Sequence, residues 1–352
     1  MIRTLLCRKC CGTFIFLFSG IFLLSGVAFA QTQLPNVKLF TTGGTIQSVG
    51  DHRQKLMEYS AGKVGPVELI NDLPELKKIA NITYLEESNI GSGSMDAKIL
   101  LKLAKDINEW LAQPESSGAV VTHGTGTLEE TAYFLNLVIK SDKPVMVVGA
   151  MRPFSAVSRD GPFNLLNAVR VAASPDARGF GVMIMLNDEI NAARETTKSN
   201  TYRVDTFVAR DMGPLGYTDS DRIVFYRKPT YRHTSKSEFD VSDLKDLPRV
   251  DVTYVYQESD ATTIKAFIKA GAKGIVLTDN DDEAIKKGQK KGVVFVKGDR
   301  KGSGRVAESE KQAGLGIVTS DNLPPHKARI LLRLALTKTK DPKEIQRMFN
   351  EY

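Results

Sequence analysis

Short apolar runs that read as buried strands alternate along this chain with stretches of helical spacing, which restricts the fold to a parallel sheet with helices on its faces. Residues 37–40 form the first run, 99–111 have helical spacing, and 119–121 form the second run. Thr127 reads as an N-cap, and Glu130, three positions on, completes a capping box for a helix over 128–139. A strand over 144–148 follows, and then Asp160-Gly161-Pro162, whose proline suits a first helical turn, opens a helix through Ala173. Another strand is expected over 181–186.

The mixed-charge stretch 222–248 has little periodicity and reads as a connection. Beyond it the pattern predicts a strand over 252–256, a helix over 262–270, strands over 274–277 and 292–296, and a closing helical stretch over 327–349. The expected fold class is therefore α/β: a larger N-terminal parallel-sheet domain over 31–221 and a smaller C-terminal α/β domain over 249–352.

Two threonine loops, Thr41-Thr42-Gly43-Gly44-Thr45 and Thr122-His123-Gly124-Thr125-Gly126-Thr127, come directly after the first two strand-like runs. Strand C-terminal ends are where open α/β sheets build their sites, and glycine lets a backbone approach a ligand closely. A single such loop reads more readily as a polar strand-to-helix turn. Nucleotide binding fits poorly, because Gly124-x-Gly126 has no third glycine in place and neither loop has a phosphate-binding lysine. The remaining reading is hydroxyl chemistry. Thr125 would lie at the positive end of the helix after it, which favours a carboxylate or a developing oxyanion. A neutral hydroxyl nucleophile needs a base, and a leaving amine needs a proton.

The chain of 352 residues is 42% hydrophobic and 25% charged, the composition of a globular protein. Its first 30 residues read as a secretory signal cleaved after Ala30: Arg3, Arg8 and Lys9 precede an apolar run from Phe14 to Val27, and Ala28-Phe29-Ala30 supplies the small residues. The alternative, an uncleaved anchor, asks for ~20 apolar residues, more than this run has. Cleavage would place the protein in the periplasm or outside the cell, with no membrane contact afterwards. Cys7, Cys10 and Cys11 all lie within this segment, so the mature chain would have no disulfide and no thiolate chemistry.

Removing three basic residues and no acidic ones lowers the formal charge from +7 to +4, a weak bias. Lys286-Lys287 and Lys290-Lys291 lack interleaved aromatics and read as a solvated helix face, so no nucleic-acid partner is expected. His52, His123, His233 and His326 have no ligand spacing, and no metal is expected.

Several ordered motifs carry a resemblance. Leu34-Pro35-Asn36, Thr42-Gly43-Gly44-Thr45-Ile46, Thr122-His123-Gly124-Thr125, Glu129-Glu130-Thr131-Ala132-Tyr133-Phe134-Leu135, Gly149-Ala150-Met151-Arg152-Pro153 and Asp160-Gly161-Pro162-Phe163-Asn164-Leu165 resemble the bacterial type II, periplasmic L-asparaginases and glutaminase-asparaginases. Asn187-Asp188, Thr197-Lys198-Ser199-Asn200 and Gly213-Pro214-Leu215-Gly216-Tyr217 extend the likeness, which runs from Leu34 to Tyr352.

The resemblance implies hydrolysis of the asparagine side-chain amide, with glutamine as a possible second substrate and no cofactor. It implies Thr45 as nucleophile on a mobile loop, Tyr59 as its phenolic partner, and Thr125 with Lys198 as the second pair. Ser92 would hold the substrate α-carboxylate, and the Ala150 carbonyl would lie near the Thr125 and Lys198 pair. It also implies a homotetramer of close dimers with sites between subunits.

The pattern breaks in several places. The family has Asp where this chain has Gly126, and Gln or Glu where it has Gly93, and both family groups contact the substrate α-ammonium. Losing a partly desolvated counter-ion can cost on the order of 2–5 kcal/mol. The stretch 278–282 is shorter and more acidic than the family loop that reaches a neighbouring subunit, and Asp279, Asp281 or Asp282 could restore the missing charge. The family's cross-subunit glutamate aligns with Ser309, flanked by Glu308 and Glu310. Three readings stay open: an asparaginase, an amidase with altered specificity for a larger or uncharged amide, and a non-catalytic amide-binding protein.

Overall fold

The structure, a computed structural model, describes residues 33–278 and 281–352. The expected signal segment and Asp279 lie outside the described residues. In chain order the strands are β1 Asn36–Gly43, β2 Asn81–Ile90, β3 Ser116–Thr122, β4 Val145–Val148, β5 Val182–Leu186, β6 Glu189–Ala192, β7 Thr197–Lys198, β8 Phe207–Val208, β9 Gly216–Thr218, β10 Ile223–Phe225, β11 Val250–Val252, β12 Gly274–Leu277, β13 Val294–Lys297 and β14 Val318–Thr319. The helices are α1 Pro66–Asn71, α2 Ala97–Leu111, α3 Leu128–Val138, α4 Gly161–Ala173, α5 Thr262–Lys269, α6 Asp282–Gln289, α7 Glu310–Gly314, α8 Pro325–Ala335 and α9 Pro342–Glu351.

The chain is a mixed α/β protein. An eight-stranded sheet runs β10-β9-β6-β5-β4-β3-β1-β2, and a smaller sheet runs β11-β12-β13-β14. From β2 through β5 the large sheet is parallel, and all of the small sheet is. Strands buried on both faces show apolar runs without alternation, which is why β4 and β5 read so plainly in the sequence. On one face Phe40, Val121, Val147 and Ile184 meet α2 and α3, and on the other Leu39, Val120, Met146 and Met183 meet α4. The first of these clusters continues through Leu331 and Leu334 of α8 to Val276 and Val296 of the small sheet.

Several local expectations change. The closing helical stretch is two helices, because Pro342 suits only a first turn and Asp341 caps it by accepting the Lys343 N–H at 3.1 Å. The strand expected over 252–256 lies at Val250–Val252; Tyr254 and Tyr256 beyond it are exposed. Within 222–248, β10 pairs with β9 at one edge of the large sheet, and Phe239, Val241 and Leu247 pack into the core. The Lys286 and Lys287 side chains lie on the exposed side of α6. Among the described residues, no helix is long and apolar enough to cross a membrane.

The register sets up the site. Thr41 of β1 lies opposite Thr122 of β3, and Thr122 lies opposite Val148 of β4. The loops that leave these strands therefore emerge side by side.

Candidate functional site

The two threonine loops touch through their glycines. Gly44 has φ +83°, and a Cβ there would lie 2.2 Å from the Gly124 Cα, so the approach admits no side chain. Gln47 stitches the loops together: its Oε1 accepts from the Gly43 N–H and the Thr122 hydroxyl, both at 2.9 Å, and its Nε2 donates to the Val64 carbonyl at 2.8 Å. Thr42 also donates to the Thr122 carbonyl at 2.8 Å.

Thr45 stands at the start of a 3-10 turn, Thr45–Gln47, and is 7% exposed. Its hydroxyl lies 2.9 Å from the Tyr59 phenol. Tyr59 comes from the mostly exposed segment 50–62, which is closed at its neck by the pairing of Val49 with Ser60. On the other loop Thr125 is 6% exposed and accepts a hydrogen bond from the Lys198 Nζ at 2.9 Å. Burial lowers the Lys198 pKa from the usual lysine range, and the Glu129 carboxylate opposes that shift. Lys198 reaches the loop from the β7-β8 hairpin.

Ser92 packs against both glycines of the second loop. A Cβ at Gly124 would lie 2.9 Å from the Ser92 Cβ, and one at Gly126 would lie 2.8 Å from the Ser92 Oγ. A Cβ at Gly93 would meet nothing within 4 Å. The expected capping box at α3 does not form, because the Thr127 hydroxyl makes no cap and donates instead to the Ser92 carbonyl at 2.8 Å. Ala150 is fully buried at the end of β4. The loop after it is held by Asp160, whose carboxylate accepts the Met151 and Arg152 N–H groups, both at 2.9 Å.

Thus Thr45 joins Tyr59, Thr125 joins Lys198, and Ser92 joins Gly126 around the touching loops. Glu308 and Glu310 stand elsewhere, exposed on either side of Ser309, which caps α7 in a capping box with Gln312. Asp281 and Asp282 of the acidic stretch already have partners: Asp281 accepts the Ala284 N–H at 2.8 Å, and Asp282 pairs with Lys311 at 2.7 Å.

The family description "Asparaginase, N-terminal" matches residues 36–231, and "Glutaminase/Asparaginase C-terminal domain" matches residues 249–349. The chain belongs to the asparaginase family. It is 48% identical over 336 residues to L-asparaginase 2 of Bacillus subtilis (strain 168), covering 93% of this chain and 89% of that one. It is 43% identical over 340 residues to L-asparaginase 2 of Escherichia coli (strain K12), covering 94% and 97%. Among solved structures, the probable cytoplasmic L-asparaginase from Campylobacter jejuni superposes with a TM-score of 0.88 at 42% identity, over 90% of this chain and all of that one.

Reading this asparaginase-family chain as a sequence misses one group beside the site. Glu129, the second residue of α3, is 6% exposed and contacts Thr197, Lys198, His326 and Lys327. No local pattern distinguishes it from Glu130, because its partners come from residues far along the chain.

Proposed function

We propose that the protein hydrolyses the side-chain amide of L-asparagine to L-aspartate and ammonia, with Thr45 as the nucleophile. The observation that carries this reading is the pairing of two loop threonines with two proton-handling groups, Thr45 with Tyr59 and Thr125 with Lys198, each at 2.9 Å. The Thr45 hydroxyl oxygen would attack the amide carbon as its proton leaves along the hydrogen bond to Tyr59. Neutral Lys198, reached through Thr125, would take up the proton that Tyr59 passes on and hand it to the amide nitrogen, so that ammonia departs and an ester is left on Thr45. Water then cleaves the ester, giving a carboxylate and free Thr45. A lowered Lys198 pKa supports this role, since only the neutral amine accepts a proton. Ser92 would hold the substrate α-carboxylate.

Gly93 and Gly126 favour a second reading, an amidase that takes a larger or uncharged amide, because no carboxylate side chain arises from either position and the space beside Gly93 is open. Ammonia release from L-asparagine and L-glutamine separates the readings. Turnover of asparagine that Thr45→Ala abolishes supports the first, and unchanged turnover in Thr45→Ala overturns Thr45 as nucleophile. Turnover of other amides alone supports the second. Calorimetric binding without turnover would indicate an amide-binding protein. Gly126→Asp should raise asparagine kcat/KM by roughly two decades, the weight of a restored counter-ion, provided Ser92 Oγ turns aside for the new Cβ.

The same reading includes export through the first 30 residues and assembly as a homotetramer with Glu308 or Glu310 offered to a neighbouring subunit. N-terminal sequencing and light scattering test both.

A further inference from the structure

Glu129 divides its carboxylate between two parts of the fold. Oε1 accepts from the Lys198 backbone N–H at 2.8 Å and from the Thr197 hydroxyl at 3.2 Å. Oε2 lies 2.8 Å from His326 Nε2 and 3.6 Å from Lys327 Nζ, both on α8. Lys327 is wholly buried and donates to the carbonyls of Ala193, Arg194 and Thr196. The strap 193–198 is therefore gripped twice, at its carbonyls by Lys327 and at its end by Glu129. Burial alone would raise the Glu129 pKa, but His326, Lys327 and the Lys198 N–H hold it down to about 2, so the carboxylate stays charged at neutral pH.

We propose that Glu129, backed by His326 and Lys327, is a positioning residue that fixes where the Lys198 amine stands against Thr125. It rests on the reading of Lys198 as the group that works with Thr125. A carboxylate that merely joined α3 to α8 would have no need of the Lys198 N–H, whereas here one oxygen is given over to the two residues of β7. The same charge faces Lys198, whose pKa burial lowers and Glu129 supports. The titratable groups packed around it are His326 and Lys327 from α8, with Glu130 beside it facing Arg329 at 3.9 Å.

Two substitutions separate geometry from charge. Glu129→Gln keeps an oxygen for the Lys198 N–H and removes the charge, so the Lys198 amine should lose its proton at lower pH. The acid limb of kcat/KM should then move to lower pH. Glu129→Ala removes both, and kcat should fall by on the order of 10- to 100-fold with KM little changed. His326→Ala, at the exposed end of the network, should show a smaller loss of kcat and serves if Glu129→Ala does not fold.

Competitive amine labelling across pH, read at Lys198 by mass spectrometry in the full chain, gives the amine's titration midpoint without turnover. A lower midpoint in Glu129→Gln supports the inference. An unchanged midpoint, with melting temperature as the only property affected, overturns it. Absence of asparagine turnover in the parent would overturn the proposed function, while the labelling midpoint would still decide this inference.

Discussion

His123 shows how a single residue ties the second loop to the fold. Its Nδ1 lies 2.8 Å from the Gly124 carbonyl, which can only accept, so Nδ1 carries the proton and Nε2 accepts from the Thr131 hydroxyl at 2.8 Å. Complete burial holds its pKa down to about 4 from an ordinary 6.5. The unfolded chain therefore takes up a proton first as pH falls, and stability drops between about pH 6.5 and 4 by on the order of 3 kcal/mol. Glu129, also depressed, acts lower, between about 4.5 and 2. Denaturant unfolding at pH 7 and at pH 4.5 should show this loss in the parent and a much smaller one in His123→Asn. Equal losses would mean that another group titrates there.

At the scale of elements, Thr127 separates local pattern from tertiary use. The spacing of Thr127 and Glu130 matches a capping box, and α3 does begin at Leu128, but the hydroxyl is taken by the Ser92 carbonyl, 35 residues earlier in the chain. Thr127→Ala should therefore cost about 1 kcal/mol of stability and, if Ser92 holds substrate as proposed, raise KM for asparagine by loosening Ser92, with kcat less affected. A stability loss with KM unchanged would return Thr127 to a helix-end role. Other elements were legible in proportion to how locally their cause lies. β12 coincides with the expected 274–277, and α4, Gly161–Ala173, opens at the expected Asp160-Gly161-Pro162 and ends at the expected Ala173, since strand apolarity and Pro162 act within a few residues. β2 was missed: it lies at a sheet edge, with Tyr84, Leu85 and Glu86 exposed, and shows neither a buried run nor clean alternation.

For the whole molecule, the decisive feature is that the two sheets share a core. One apolar cluster runs from Phe40 and Val121 through Tyr133 and Leu331 to Val276 and Val296. The Tyr133 hydroxyl and Arg194 Nε both donate to the Tyr352 carbonyl oxygen, at 2.8 and 2.7 Å, which closes the C-terminal helix onto the large sheet's side. Residues 34–352 should accordingly unfold in one cooperative transition by calorimetry, although two family descriptions match separate parts of them, 36–231 and 249–349. Two resolved transitions would show that the small sheet melts alone.

By itself the sequence determined the α/β class, the position of both threonine loops behind parallel strands, and the residues matching the asparaginase pattern, because apolar runs, turn glycines and ordered motifs are local properties of a chain. Tertiary structure alone decided that Gly44 meets Gly124, that Thr127 serves Ser92, and that Glu129 holds Lys198 with help from α8. Those contacts join residues 35 to about 200 positions apart, and a hydrogen bond between such partners exists only once the sheets have brought them within 3 Å.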